Sequence, residues 1–168
     1  MNGEEYIADA VLQTAKLMIA SAITAPKARG VNNLVVKLLS KREELEEIAK
    51  KMEELAPVYG DFFARDANNV RNSDAVVLIG CKIAKFGVQQ PKSWKLDADT
   101  ALSLVNLGIA LGSAVKTASI LNIDNRIMFT IGVAAQELGL IDADFCFGIP
   151  LSVRPKNIYF DRVWPPKK

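Results

Sequence analysis

Apolar residues near the N-terminus recur with helical spacing. Ile7, Ala10, Val11, Ala15, Met18, Ile19 and Ala22 share a face, with Glu5, Asp9 and Lys16 turned away, which predicts a helix over 4–22. Pro26 ends it, because proline disfavours a helical residue before it and donates no backbone hydrogen bond. The run LVVKLL at 34–39 is short, rich in β-branched residues and bounded by an asparagine pair, so it reads as a strand. Ser40 is placed to cap a charged amphipathic helix whose Leu45, Ile48, Ala49, Met52 and Leu55 form one apolar stripe. DFFARDANNVRNSD predicts a short helix packed through Phe62, Phe63 and Val70, and AVVLIG at 75–80 a buried strand. Residues 82–96 show no period and contain a Gly, a Pro and two Gln, which predicts an irregular loop. Asp97 or Asp99 caps a helix reaching about Asn122; DNRIMFTIGVAAQELGL follows as another, capped by Asp124. ADFCFGIPLSV is the last strand, then an extended KNIYFDRVW and a polar tail at 163–168.

This order predicts one domain, 1–168, of mixed α/β (α+β) class. A central sheet of three to four strands is flanked by helices, without the regular alternation of a doubly wound fold. Dinucleotide and nucleoside-triphosphate glycine loops are missing. The 97–122 helix is expected to be long, buried and built on small residues. Gly108 and Gly112 lie one turn apart, as do Ala110, Ala114 and Ala118. Such stripes admit a second backbone or a flat ligand at close range, which suits tight core packing or a homodimer interface.

Charge and composition narrow the function. Formal net charge is +2 over 168 residues, so no nucleic-acid footprint is expected. Glu4, Glu5 and Asp9 are the opposite of a signal peptide's basic start. The span from Leu102 to Leu121 carries Asn106 and Lys116 on a Gly/Ala/Ser background, so a buried helix is expected there and no membrane partner. With no histidine, triad hydrolysis and zinc catalysis lose their usual groups. Cys81 and Cys146 lie far apart in apolar runs and form no Cys-x-x-Cys pair, as expected of a cytoplasmic protein. No catalytic residue is singled out.

The candidate binding chemistry lies at two breaks. In SAITAPKARGVNN, Lys27 and Arg29 offer positive charge, Gly30 lets backbone N–H groups approach an anion, and Asn32 and Asn33 can donate or accept at a ring edge. Arg154, Lys156 and Asn157 follow the last strand, where ligands often lie in α/β proteins. Brought together, the two clusters would make a pocket for a small anionic ligand. Kept apart, they are loop cations, with the asparagines serving turns. Arg65, Asp66, Arg71 and Asp74 read as a salt-bridged turn, and Asp161 and Arg162 as a brace for the C-terminal segment.

Several stretches in order, TAPKARGVNNL, FFARDANNVRNSDAVVLIG, LGIALGSAVKTAS, DNRIMFTIGVAAQELGL, DADFCFGIPLS and KNIYFDR, resemble a family of uncharacterised microbial proteins described as containing a ferredoxin domain. Members usually carry a cysteine-rich insert between the VVLIG strand and the LGIALGS helix. Here that place is taken by CKIAKFGVQQPKSWKLDADTA, with Cys81 alone, so no iron–sulfur cluster is expected. In arrangement the chain also resembles FMN-dependent nitroreductases: an alanine-rich helix ending in an "APS…N" type loop, a long central helix at the dimer interface, then a glycine-rich helix and a "GIP"-like strand. That family's N-terminal arginine–serine motif is not visible here. This resemblance implies an FMN-binding oxidoreductase that forms a homodimer. The alternative is a non-enzymatic dimeric scaffold derived from an iron–sulfur-containing family.

Overall fold

A computed structural model describes residues 3–160; Asp161, Arg162 and the expected tail at 163–168 lie outside the described residues. Five helices, α1 (Gly3–Thr24), α2 (Arg42–Tyr59), α3 (Phe62–Arg71), α4 (Ala98–Ile120) and α5 (Phe129–Glu137), surround four strands, β1 (Leu34–Leu39), β2 (Ala75–Cys81), β3 (Asp124–Asn125) and β4 (Phe145–Ser152). The sheet runs β1-β2-β4-β3 and every pairing is antiparallel.

Alternation along the strands sorts the core onto two faces. Val76 and Leu78 of β2 point into a layer built from α2, α3 and α5. Ala75, Val77, Ile79 and Cys81 point into a layer built from α1 and α4. In the second layer the facing residues are small, Ala15 and Ala22 on α1 and Ala110, Ala114 and Ala118 on α4, and all are buried. Ser21 and Thr117 share a hydrogen bond of 2.7 Å across this helix pair. Pro150 sits in β4 opposite Val76. Its missing N–H costs no ladder bond: Gly148 exchanges hydrogen bonds with Met128, Ser152 pairs with Asp124, and the strand edge between them is interrupted.

The structure departs from the sequence pattern at four places. Asp124 caps no helix; with Asn125 it pairs with Ser152 and Leu151 as a short edge strand, and α5 begins only at Phe129. Ser40 is not the cap of α2. The Glu44 carboxylate instead accepts from the backbone N–H groups of Ser40 and Lys41, both at 3.0 Å. Ile7 and Ala10 are exposed, because the first two turns of α1 extend past the sheet and reach no core partner. The predicted ionic turn closes on itself only at Arg65 and Asp66, paired at 2.8 Å, and otherwise reaches outward. Arg71 grips Glu46 and Glu53 of α2, Asp74 holds Arg154, and buried Asp66 accepts from Thr130 at 2.9 Å.

Helix α4 is long, as predicted, but only one side of it is buried. Gly108 and Gly112 are exposed, with no atom within 4 Å of where a Cβ would stand. Val105, Ile109, Ile120 and Leu121 share that outer surface with Leu17 of α1, and all are exposed. The opposite layer differs: the exposed positions of α2 include Arg42, Glu43, Glu47, Lys50, Glu53 and Glu54. By length and composition, α1 and α4 are apolar enough to cross a membrane. One face of each nevertheless packs into the sheet layer.

Candidate functional site

The break after α1 folds as a single 3-10 turn, Ala28–Gly30. Lys27 faces inward. Its Nζ donates to the carbonyls of Ala22, Ile23 and Ala25 at 3.1, 2.6 and 2.7 Å, closing the end of α1 and leaving no donor for a ligand. Burial lowers its pKa. Arg29 adopts φ 53, a left-handed conformation unusual for a residue with a Cβ, and Gly30 follows at φ 70. The Arg29 guanidinium donates to Phe86 O at 2.5 Å.

The asparagines divide. Asn32 is exposed, and its Oδ1 lies 3.4 Å from the Leu34 N–H. Asn33 is buried; its Nδ2 donates to Lys82 O at 2.7 Å and its Oδ1 accepts from Asn106 Nδ2 at 3.0 Å. Asn106 Oδ1 in turn accepts from Ala28 N at 2.7 Å. Asn33 is therefore a strut rather than a ligand-facing group.

The second cluster lies at the other end of the sheet. Arg154 forms a two-pronged ion pair with Asp74, at 3.0 and 2.8 Å, and also donates to Val153 O. Asn157 Oδ1 accepts from Tyr159 N at 2.9 Å and so closes a turn, while Lys156 is exposed. Leu34 opposes Cys81 at one end of β2, and Leu151 opposes Ala75 at the other. Seven extended residues put about 20 Å between those ends. Within one protomer the Lys27–Asn33 and Arg154–Asn157 clusters do not converge, so of the two arrangements left open by the sequence a single protomer has the separate one.

What the Arg29 turn does meet is the 82–96 loop. Arg29, Val31, Lys85, Phe86 and Gly87 line a cleft of about 530 Å³ between them. The loop is held by a polar stripe one turn apart on α4. Asp99 accepts from Phe86 N at 2.9 Å, buried Ser103 accepts from Ala84 N at 3.0 Å, and Asn106 bonds the turn itself. Asp144 adds a bond from Ile83 N at 2.6 Å. Lys85, Phe86 and Gly87 were not among the sequence candidates.

Gly80, not Cys81, stands opposite Cys146, so the two thiols point to opposite faces of the sheet. Both are buried; burial pushes the Cys81 thiol up to about 11 and that of Cys146 to about 12, which keeps them protonated and inert. Among the described residues no group of three His, Cys, Asp or Glu side chains is placed to hold a metal ion. Within one protomer the two cysteines, on opposite faces of the sheet, do not converge on a shared site.

A family profile described as "uncharacterized protein containing a ferredoxin domain" matches residues 97–162. An uncharacterized protein of Archaeoglobus fulgidus is 40% identical over 185 residues, covering 100% of this chain and 99% of its own. The chain belongs to this ferredoxin-domain family. That alignment is longer than the chain, so the relative carries sequence that this member lacks.

Among solved structures, the hypothetical oxidoreductase YcnD of Bacillus subtilis superposes with a TM-score of 0.60 at 13% identity, covering 86% of this chain and 58% of its own. The NADPH:FMN oxidoreductase of Vibrio harveyi gives 0.60 at 13%, covering 86% and 60%. A nitroreductase with bound FMN from Desulfitobacterium hafniense gives 0.59 at 15%, covering 86% and 78%. The fold of this family member is that of the nitroreductases. The chain spans less than two thirds of the Bacillus and Vibrio proteins.

Proposed function

We propose that this chain is a cytoplasmic, dimeric, FMN-binding oxidoreductase. The observation that carries the reading is the uncovered outer face of α4, where Val105, Gly108, Ile109 and Gly112 meet solvent beside the Arg29 turn. Helices of 22 and 23 residues measure about 33–35 Å, and side by side they offer roughly 700 Å². That is close to the ~800 Å² each partner contributes to a standard interface. A second copy laid antiparallel on α4 would bring the Arg29 turn of one protomer toward the 154–157 segment of the other. The two clusters would then meet across the dimer instead of within it. Shared fold with proteins that bind FMN supports the same reading.

Bound FMN supplies the redox chemistry, so the absence of histidine is no obstacle. The chain's part is to bind and orient, with Arg29 and Lys156, both exposed, as its cationic contacts. Variants Arg29→Ala and Lys156→Ala are each expected to weaken FMN binding, read by quenching of flavin fluorescence. Unchanged affinity in both would contradict the site.

One observation favours the alternative, a dimeric scaffold without cofactor. Lys27, Asn33 and Arg154 all spend donors on partners inside the chain. The FMN titration separates the two readings.

A further inference from the structure

The cleft between the Arg29 turn and the Lys85–Gly87 segment is built on both sides before any ligand arrives. Asn106 holds the turn through Ala28 N, while Ser103 and Asp99 hold the loop through Ala84 N and Phe86 N. Phe86 is buried as the loop's apolar anchor. Between these walls Arg29 is kept at φ 53, a conformation that costs any residue with a Cβ and persists only where its surroundings impose it. Gly87, at φ +64, makes room for it: a Cβ there would stand 3.3 Å from the Arg29 guanidinium. One nitrogen of that guanidinium bonds Phe86 O, and its side chain makes no other hydrogen bond among the described residues. Arginine carries five N–H donors in a fixed fork suited to phosphate.

We infer that this cleft is a subsite for a phosphate-class anion, with Arg29 as its main contact and Lys85 as its second. The identity of the ligand as a flavin phosphate rests on the proposed function; the cleft itself lies within one protomer and needs no flavin. Lys85 pairs with Asp99 Oδ2 at 3.2 Å on a side chain that is 92% exposed. Its charge is thus partly shared with a carboxylate, and its stem can swing toward an anion. Arg29 therefore carries more of the affinity.

The test is calorimetric titration of the full chain with inorganic pyrophosphate at low salt, using wild type, Arg29→Gly and Lys85→Ala. Glycine accepts φ 53, so Arg29→Gly keeps the turn while removing the guanidinium; its circular dichroism melt serves as the check on folding. Wild type should bind, with about tenfold or greater loss in Arg29→Gly and a smaller loss in Lys85→Ala. A wild type that ignores pyrophosphate, or an Arg29→Gly variant that binds it equally well, overturns the subsite. FMN titrated in parallel keeps the two claims apart. Pyrophosphate binding without FMN uptake sustains the cleft and removes the flavin reading. FMN uptake without pyrophosphate binding does the reverse.

Discussion

Asn33 and Asn106, 73 positions apart, face each other with a 3.0 Å hydrogen bond in the core between β1 and α4. Both are almost fully buried, and the other bonds of their side chains fix backbone at the candidate site: Ala28 N on one side and Lys82 O on the other. The pair is the joint at which the turn, the loop and the long helix meet.

Replacing Asn106 with leucine should therefore cost more than one hydrogen bond. Asn33 Oδ1 would be left buried without a partner, at about 1–3 kcal/mol, and the half-buried Ala28 N–H would lose its acceptor at a smaller cost. Urea unfolding is expected to show a loss in that range or above. Asn106→Asp keeps the acceptor for Ala28 but sets a buried carboxylate against Asn33 Oδ1, so it should lose at least as much. Equal stability of Asn106→Leu and wild type would contradict the role of the relay.

The glycines divide by what surrounds them. A Cβ on Gly132 would stand 1.8 Å from the carbonyl oxygen of Cys146, an obstacle made of backbone, so Gly132→Ala should lower stability by about 3 kcal/mol or prevent folding. A Cβ on Gly108 meets nothing, and alanine is the better helix former by about 1 kcal/mol. Gly108→Ala should thus raise the thermal stability of the protomer, while Gly108→Leu should shift a dimer toward monomer in sedimentation equilibrium. If Gly108→Leu leaves the mass unchanged, the α4 interface is wrong. A wild type that is monomeric but adheres to lipid vesicles would assign the apolar face to a membrane instead.

Stability should fall on the alkaline side. Burial raises Cys81 from 9.0 to about 11, Cys146 from 9.0 to about 12 and Tyr159 from 10.0 to about 12. In the unfolded chain these groups lose their protons first, so it binds fewer protons than the native state, and stability declines as pH rises from about 9 to 12. The acid limb should be shallower. Arg71 holds Glu46 and Glu53 below the usual carboxylate range, and backbone N–H donors do the same for Glu44, but all three are solvent-screened. Their contribution is present above about pH 4.5 and lost as pH falls through the depressed values. Urea midpoints between pH 3 and 11 check both limbs. A thiol reagent at pH 8 should label neither cysteine until the chain unfolds.

Much of this fold was legible in the sequence. Helical spacing and cap residues placed all five helices, and short apolar runs bounded by turn residues placed three of four strands. What the pattern could not show was the part of the surface left without a partner: apolar spacing on α1 marks Ile7 and Ala10 as core, yet the sheet ends before reaching them. Asp124 misled for a related reason, since a two-residue edge strand and a helix cap present the same polar residues. At the site, Pro26 and Gly30 marked the break, but nothing local marked Arg29 as left-handed, and Lys27 gave no sign that its amine would fold back onto α1. The cleft's other wall was missed because a loop has no period. A signal was present all the same: Asp99, Ser103 and Asn106 repeat at helical spacing on an otherwise apolar helix, and that stripe needs a polar partner.

The most direct measurement is the absorption spectrum of the purified protein before and after titration with FMN, with sedimentation mass read on the same samples. A yellow protein, or a colourless one that takes up FMN stoichiometrically as a dimer, is the expected result. A colourless dimer that leaves FMN free in solution would contradict the flavin reading and leave the scaffold in its place.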